Sequence, residues 1–304
     1  MKKYLIALFV ILLTACSLRT NSNLKYFPDH ILNIMPGPRD KIYHGEEADR
    51  NITKRVDDIA QDVVLFINET YDLNWKYNTP SVKISDELPE YVLGNFSNGV
   101  IFLRNEPVRT DIIVHELIHF LTETNTNSGY FFVETDIEGY VYGGYIHEAI
   151  TEYITEEYMA SRYEVNKMFL REEFDYWAIV TCLESIEIAS PGFVRAFLHG
   201  GTEEARNMMD SIAKEYVKNP SKVFFDLWLS LIDDIQVKLT EEGKYPIDSF
   251  LASVELVKLI CPEEKQEKEL KLFKDMFFMM KEHIKADNLD ELIQVIEKDI
   301  KKKY

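Results

Sequence analysis

Residues 112–121 read Ile-Ile-Val-His-Glu-Leu-Ile-His-Phe-Leu. They contain His115, Glu116 and His119 in the order H-E-x-x-H, with apolar residues on both sides. On a helix, side chains four positions apart lie on one face, with Cβ atoms about 5–6 Å apart. Two imidazoles at that spacing can bind one Zn²⁺, and the glutamate beside the first can accept a proton from metal-bound water. The stretch therefore predicts a helix, a metal site and a reaction.

The alternative to a metal site is a chance pair of histidines on an amphipathic helix, because short motifs also occur by accident. The two intervening residues, Leu117 and Ile118, are uncharged. We therefore expect a helix buried on nearly all sides, whose polar groups need partners that a metal ion supplies. Thr110 or Asp111 is expected to cap its start, and it should end within residues 122–126.

Catalytic zinc takes three protein ligands and keeps one open position, so a third ligand must lie elsewhere. A metzincin would continue the motif as H-E-x-x-H-x-x-G-x-x-H, but positions 122 and 125 are Thr and Asn. The metzincin pattern is therefore excluded.

A second acidic motif, Tyr-Ile-His-Glu-Ala-Ile-Thr-Glu-Tyr, occupies residues 145–153 of a predicted helix from about Tyr145 to Arg162. Glu148 and Glu152 are four positions apart and face the same way on this helix. Two carboxylates on an apolar face need positive partners. A zinc ion would hold Glu148, and a ligand imidazole would hold Glu152.

Together, H-E-L-I-H and the later H-E-A-I-T-E-Y resemble the gluzincin class of zinc metallopeptidases, the thermolysin-like group whose third ligand is a glutamate on a second helix. The resemblance implies that His115, His119 and Glu148 bind zinc and that Glu116 is the general base. It also implies that Glu152 is the acid behind a ligand histidine. The implied activity is peptide-bond hydrolysis, with Glu116 acting on zinc-bound water.

A β-hairpin is predicted just before the motif helix. Tyr91–Phe96 and Val100–Arg104 are β-like, and Ser97-Asn98-Gly99 joins them with a strong turn signal. In gluzincins an edge strand ahead of the active-site helix pairs with extended substrate. By this resemblance the first strand would bind substrate, with Gly94 and Asn95 lending backbone groups.

The gap between the two motifs is longer than is usual in gluzincins and contains rival carboxylates: Glu134, Asp136 and Glu138. An aspartate-liganded zincin that uses Asp136 is the nearest alternative. Glu148 is preferred because it shares its helix with a companion carboxylate. The donor that stabilises the oxyanion is left open among four side chains: Tyr145, His147, Tyr153 and His199.

The chain as a whole predicts an α+β fold, with a small mixed or antiparallel sheet, an edge hairpin next to the active-site helix and a mainly helical C-terminal part. Asp49–Tyr71 has apolar residues at helical spacing, and Ser81–Ser85 alternates like a short strand. We divide the chain into a signal peptide at 1–15, a tether at 16–25, a zincin-like catalytic region at 26–162 and a helical subdomain at 163–304.

The N-terminus resembles the signal of a bacterial lipoprotein. Met1-Lys2-Lys3 is basic, Tyr4–Leu13 is apolar but too short to span a bilayer, and Leu13-Thr14-Ala15-Cys16 resembles a lipobox. The resemblance implies a lipid on Cys16 and an anchored protein in the cell envelope, outside the cytoplasmic membrane. An ordinary secretory signal is the alternative.

The net charge limits the classes of partner that the chain can bind, and the cysteine content limits its disulfide bonds. The formal net charge of −18 argues against nucleic acid, because phosphate binding needs a basic face. Cys182 and Cys261 are too few for a disulfide framework, and we expect two buried free thiols. The expected partners are a peptide or protein substrate, and the membrane through the lipid on Cys16.

Two other functions stay open. One is a lipoprotein that binds a partner through its helical C-terminal part, with a degenerate or structural metal site in which His147 would be the fourth ligand. The other is a zinc hydrolase that cleaves a cell-wall peptide crosslink.

Overall fold

The computed structural model describes residues 43–89, 92–105, 108–126, 134–135, 141–142, 144–167, 176–216, 228, 232–236, 261, 263–265, 267–268 and 271–272. All of them belong to one compact unit, Lys41–Tyr304. The predicted signal peptide, the tether with Cys16, and the rival ligands Asp136 and Glu138 lie outside the described residues. Of the third rival, Glu134, the structure describes the backbone, in a short strand.

Helices make up most of the described residues. Their bounds are α1 (Arg50–Tyr71), α2 (Thr110–Asn125), α3 (Gly144–Tyr163), α4 (Trp177–Ala189) and α5 (Phe193–Tyr216), with a 3₁₀ turn at Glu263–Lys265. α5 is bent at Gly201, whose φ of 70° is not helical. The helices predicted from periodicity and from the two motifs are therefore present, with ends within a residue or two of the predicted ones.

α1 begins and ends at local signals. The carboxylate of Asp49 accepts the backbone N–H groups of Asn51 and Ile52, which have no partner inside the helix. At the other end Asp72 adopts a left-handed conformation, with φ of 51°, and its N–H donates to the carbonyl of Asn68.

α2 begins without a side-chain cap, so the predicted capping was wrong. Its N-cap residue is Arg109, which makes no capping hydrogen bond. The Thr110 hydroxyl instead accepts a hydrogen bond from Arg55 at 2.8 Å. Asp111 is held by Arg109, whose Nε donates to Oδ1 at 3.1 Å. Both candidate caps are thus engaged by arginine side chains that fix the loop before the helix.

The main sheet has four strands in the order β1-β2-β4-β3. Their bounds are β1 (Glu46–Glu47), β2 (Ser81–Ile84), β3 (Gly94–Ser97) and β4 (Val100–Leu103). β2 and β4 run parallel, and the other neighbours run antiparallel. The short strands β5 (Glu134–Thr135) and β6 (Val141–Tyr142) form a separate antiparallel pair.

The predicted hairpin is present as β3 and β4, although its first strand begins three residues later than expected, at Gly94. The turn residues Asn98 and Gly99 have φ of 51° and 78°. Two successive left-handed residues form a type I′ turn, whose twist matches the flanking strands. β3 ends the sheet, and its outer edge pairs with no strand in the part of the chain that the structure describes.

α2 lies at the centre of the fold. It contacts α1, α3 and the strands β3 and β4, and the ring of Phe120 meets that of Phe96 edge-on, with centroids 6.0 Å apart. Every residue from Ile113 to Thr122 is buried. The expected burial on nearly all sides is confirmed, and so is the α+β fold class.

Residues beyond 162 contact the predicted catalytic region. α3 packs against α4, which in turn contacts α5. The backbone N–H of Tyr145, in the first turn of α3, donates to Asp233 at 3.2 Å. The division of the chain at residue 162 stays a prediction. Cys182 and Cys261 are buried and are not joined in a disulfide bond, as expected.

No single described helix is long and apolar enough to cross a membrane. α4 and the Phe193–Gly201 part of α5 pass that test only as a pair, bent by 102°.

Candidate metal centre

Three side chains from two packed helices converge on one point. α2 provides His115 and His119, whose Nε2 atoms are 3.1 Å apart. α3 provides Glu148, whose Oε2 lies 3.4 Å from Nε2 of His115 and 3.2 Å from Nε2 of His119. The structure thus brings together the three ligands predicted from sequence as a group able to hold a metal ion.

The size and chemistry of this triangle fit zinc. Tetrahedral ligand atoms about 2.0–2.1 Å from Zn²⁺ lie about 3.3–3.4 Å from one another. The three observed separations run from 3.1 to 3.4 Å. Two imidazole nitrogens and one carboxylate oxygen are also a donor set that zinc accepts in catalytic sites. The Glu148 side chain is 14% exposed and those of His115 and His119 are 9% and 5% exposed, so the carboxylate marks the more accessible side.

The support behind His115 determines which nitrogen faces the triangle. Nδ1 of His115 lies 2.8 Å from Oε2 of Glu152. An ionised carboxylate only accepts, so Nδ1 donates to it and Nε2 is the nitrogen that can offer a lone pair to a metal ion. Glu152 is fully buried, and its Oε1 makes no hydrogen bond with any described residue. The predicted contact between Glu152 and a candidate ligand histidine is therefore present.

Electrostatics at the triangle favour a cation. Burial lowers the pKa of His115, but its hydrogen bonds with Glu148 and Glu152 and the charge of Glu116 outweigh burial and raise that pKa well above its usual value. Burial also raises the pKa of Glu152, an effect that His115 partly offsets. A divalent ion would bind all three ligand atoms that face the triangle, whereas a proton on His115 binds to only one nitrogen.

Glu116 is buried against the first residue of the edge strand. A Cβ atom at Gly94 would lie 3.0 Å from Cγ and 3.1 Å from Oε1 of Glu116, and 2.7 Å from Cγ2 of Ile112. Glycine at this position therefore makes room for the carboxylate beside the triangle. This contact could not be predicted from the sequence, because it joins residues from different elements.

The β3–β4 register shows which backbone groups face the outer edge of β3. The N–H of Arg104 donates to the carbonyl of Leu93 at 3.0 Å. Hydrogen-bonded and non-bonded positions alternate along an antiparallel pair, so Asn95 also bonds to β4 while Gly94 and Phe96 face outward.

The prediction that Asn95 lends a backbone group at the edge needs revision for this reason. Its side chain points to the sheet face opposite that of Gly94, because successive side chains alternate. There Oδ1 is buried without a hydrogen-bond partner among the described residues. Gly94 keeps its predicted place, and Phe96 replaces Asn95 as the second outward-facing residue.

The four candidate oxyanion donors have different surroundings. Tyr145 is half-buried at the start of α3. Tyr153 packs under Lys167, with Nζ 5.9 Å from its ring centroid, and burial and Glu157 raise its pKa. His199 is exposed and bonds to Glu204 at 2.7 Å. His147 lies behind His119, with the two Nδ1 atoms 3.1 Å apart. The assignment of this donor stays a prediction.

Tyr176 is a neighbour of the site that sequence reasoning missed. Its ring lies parallel to that of His115, with centroids 6.3 Å apart and 9° between the planes. It immediately precedes α4. As one of 17 tyrosines, it carries no spacing signal that ties it to the two motifs.

Comparison with known proteins adds no relative. No protein-family model, no curated protein and no solved structure matches the chain. The resemblance to gluzincins therefore rests on the residues of the two motifs and on the geometry around them.

Proposed function

We propose that this chain is a zinc-dependent peptidase of the gluzincin type. The observation that carries the proposal is the triangle of His115, His119 and Glu148, whose edges of 3.1–3.4 Å match a tetrahedral zinc site. A second glutamate, Glu116, lies beside the first ligand on the same helix and is buried. Ligands and base together are what metal-assisted hydrolysis requires.

Zn²⁺ at the triangle would supply Lewis acidity, which polarises a carbonyl and lowers the pKa of water. Glu116 accepts the proton of the attacking water as its oxygen adds to the scissile carbonyl carbon. The same carboxylate then returns that proton to the amine as the carbon–nitrogen bond breaks. Because Gly94 has no Cβ, the Glu116 side chain has room beside the edge strand, where a Cβ would lie 3.1 Å from its Oε1.

A peptide substrate is favoured over other acyl compounds by the outer edge of β3, which no strand among the described residues covers. Gly94 and Phe96 turn their backbone groups outward there, and Gly94 adjoins Glu116. An extended chain can pair with such an edge through main-chain hydrogen bonds. Backbone pairing would bring an amide close to the general base whatever the side chains of the substrate.

The rival interpretation, a binding module with a structural metal site, needs a fourth protein ligand. His147 was the sequence candidate, but its Nδ1 faces the Nδ1 of His119, on the side of that ring away from the triangle. The candidate metal group among the described residues contains three members. Three ligands and one open position are typical of catalytic zinc.

The lipid on Cys16, the membrane partner and the extracytoplasmic location stay predictions.

Glu116→Gln tests the proposal, with zinc content and cleavage of a peptide library as the two measurements. We expect the variant to keep its zinc and lose hydrolysis by about 10²–10⁴-fold, because the amide cannot accept the proton. Glu123→Gln is the matched control, since Glu123 is exposed on the same helix, and it should leave both unchanged. Full activity of Glu116→Gln, or wild-type protein that binds no zinc, would contradict the proposal.

A further inference from the structure

The ring of His119 is supported in a different way from that of His115. Its Nδ1 lies 3.1 Å from Nδ1 of His147 and 3.3 Å from the hydroxyl of Thr151. The third edge of this group, from Nδ1 of His147 to the Thr151 hydroxyl, is 3.4 Å. All three residues are buried, and the two rings stack with centroids 4.9 Å apart and 22° between their planes.

Hydrogen positions follow from these contacts. Nε2 of His119 faces Glu148 and His115, so as a ligand it must keep its lone pair and carry the hydrogen on Nδ1. Two N–H groups cannot point at each other across 3.1 Å. Nδ1 of His147 must therefore be bare and accept, which places the hydrogen of that ring on Nε2. The Thr151 hydroxyl can donate to the same nitrogen.

We propose that His147, assisted by Thr151, is a positioning residue that fixes the tautomer and the ring angle of His119. The inference rests on the proposed metal site and deepens it. His147 precedes the ligand Glu148 on α3, so one helix supplies a metal ligand and the support of another. The sequence placed His147 among possible oxyanion donors or fourth ligands, whereas its contacts assign it to the opposite side of His119.

Charge explains why an imidazole suits this place. Glu116, Glu148 and Glu152 already bring three carboxylates to the site, more than a divalent ion needs for charge balance. A fourth carboxylate behind His119 would add a further uncompensated buried charge, which is costly. A neutral imidazole and a hydroxyl orient His119 without that cost. The two ligand histidines therefore have supports of different charge, with Glu152 behind one and His147 behind the other.

Three variants separate orientation from packing. His147→Phe keeps a stacking ring but offers no acceptor, His147→Asn places Oδ1 near the lost Nδ1, and Thr151→Val removes the hydroxyl alone. We expect His147→Phe to weaken zinc binding about 10–100-fold, as loss of a ligand's outer partner typically does. His147→Asn should restore most of that loss, and Thr151→Val should have the smallest effect.

The measurements are zinc affinity by chelator competition and the visible absorption of the Co²⁺-loaded protein, which reports ligand geometry. Circular dichroism confirms that each variant is folded. Wild-type affinity and an unchanged Co²⁺ spectrum in His147→Phe would overturn the inference. Equal losses in His147→Phe and His147→Asn would also overturn it, because packing alone would then explain the effect.

Nitrogen NMR of the zinc-loaded wild-type protein tests the same inference without any substitution. We expect hydrogen on Nδ1 of His115 and His119 and on Nε2 of His147. Hydrogen on Nδ1 of His147 would overturn the inference while leaving the metal site intact. Wild-type protein that binds no zinc would instead contradict the proposed function.

Discussion

α1 and α2 pack side by side but have different surroundings. α1 buries one face and leaves the other to solvent, where even Leu65 is 56% exposed. α2 buries an unbroken run from Ile113 to Thr122, including both histidines and the glutamate of its motif. A one-sided helix needs only apolar packing, whereas a helix buried all round must also find partners for its polar groups. Buried polar residues thus distinguish the helix that holds the candidate metal ligands from the one that packs against it.

The difference between α1 and α2 is tested most strongly by removing a partner of the α2 histidines. Glu148→Ala takes away one of three ligands, so zinc affinity should fall more than about 100-fold, beyond the usual loss for an outer partner. Competition with a chelator measures this. Glu69→Ala is the control, because that α1 side chain is 72% exposed and should leave affinity unchanged. Unaltered zinc binding in Glu148→Ala would show that the triangle is not the metal site.

A smaller effect should appear as a difference between the pH dependence of the apo form and that of the zinc form. The pKa of His115 in the folded apoprotein is raised above its ordinary value by Glu148, Glu152 and Glu116, against the effect of burial. The stabilisation this provides is complete below about pH 6.5, the pKa of an unfolded histidine, and is lost as pH rises through the folded value. Zinc competes with that proton, so the stability gained from zinc should grow with pH, by up to about 1.4 kcal/mol per unit.

Thermal unfolding with excess zinc and with a chelator, from pH 6 to pH 8, measures both trends. Parallel curves would mean that zinc and the His115 proton do not compete, and would place the metal elsewhere.

The smallest effect should come from α1. Asp49→Ala removes the carboxylate that accepts two backbone N–H groups, so unfolding in urea should show a loss of about 1 kcal/mol. Zinc affinity should not change, because Asp49 lies at the start of α1 and is not a member of the candidate metal group. Asn at position 49 is the matched control, since its side chain also caps well. A change in zinc affinity in Asp49→Ala would remove the distinction between the two helices.

Local sequence features predicted much of this architecture. Apolar spacing predicted α1, the two acidic motifs predicted α2 and α3, and Asn98-Gly99 predicted the hairpin turn. The shared face of His115 and His119 was also predictable, because residues four apart on a helix lie on one face. Each of these inferences uses residues that are close in sequence, whereas Glu148 was joined to the two histidines by the resemblance to gluzincins.

Contacts between elements that are distant in sequence could not be predicted from local sequence features. The parallel pairing of β2 with β4 is set by tertiary packing rather than by any turn. The capping of α2 was mispredicted because Arg55, from another helix, binds the Thr110 hydroxyl. Likewise, no local sequence feature predicts that Tyr176 lies beside His115. None predicts that His147 contacts His119 on the side away from the triangle.

Glycine at position 94 has no side chain, and this feature helps to predict which homologous sequences are active. A Cβ atom there would lie 2.7 Å from Cγ2 of Ile112 and 3.0 Å from Cγ of Glu116, whereas none of the three candidate ligands is among its three nearest contacts. A homologous chain that retains both motifs but has a bulky residue at this strand position is therefore expected to be a zinc-loaded pseudoenzyme. The residue aligned with Gly94 would therefore distinguish inactive homologues from active ones before any protein is purified.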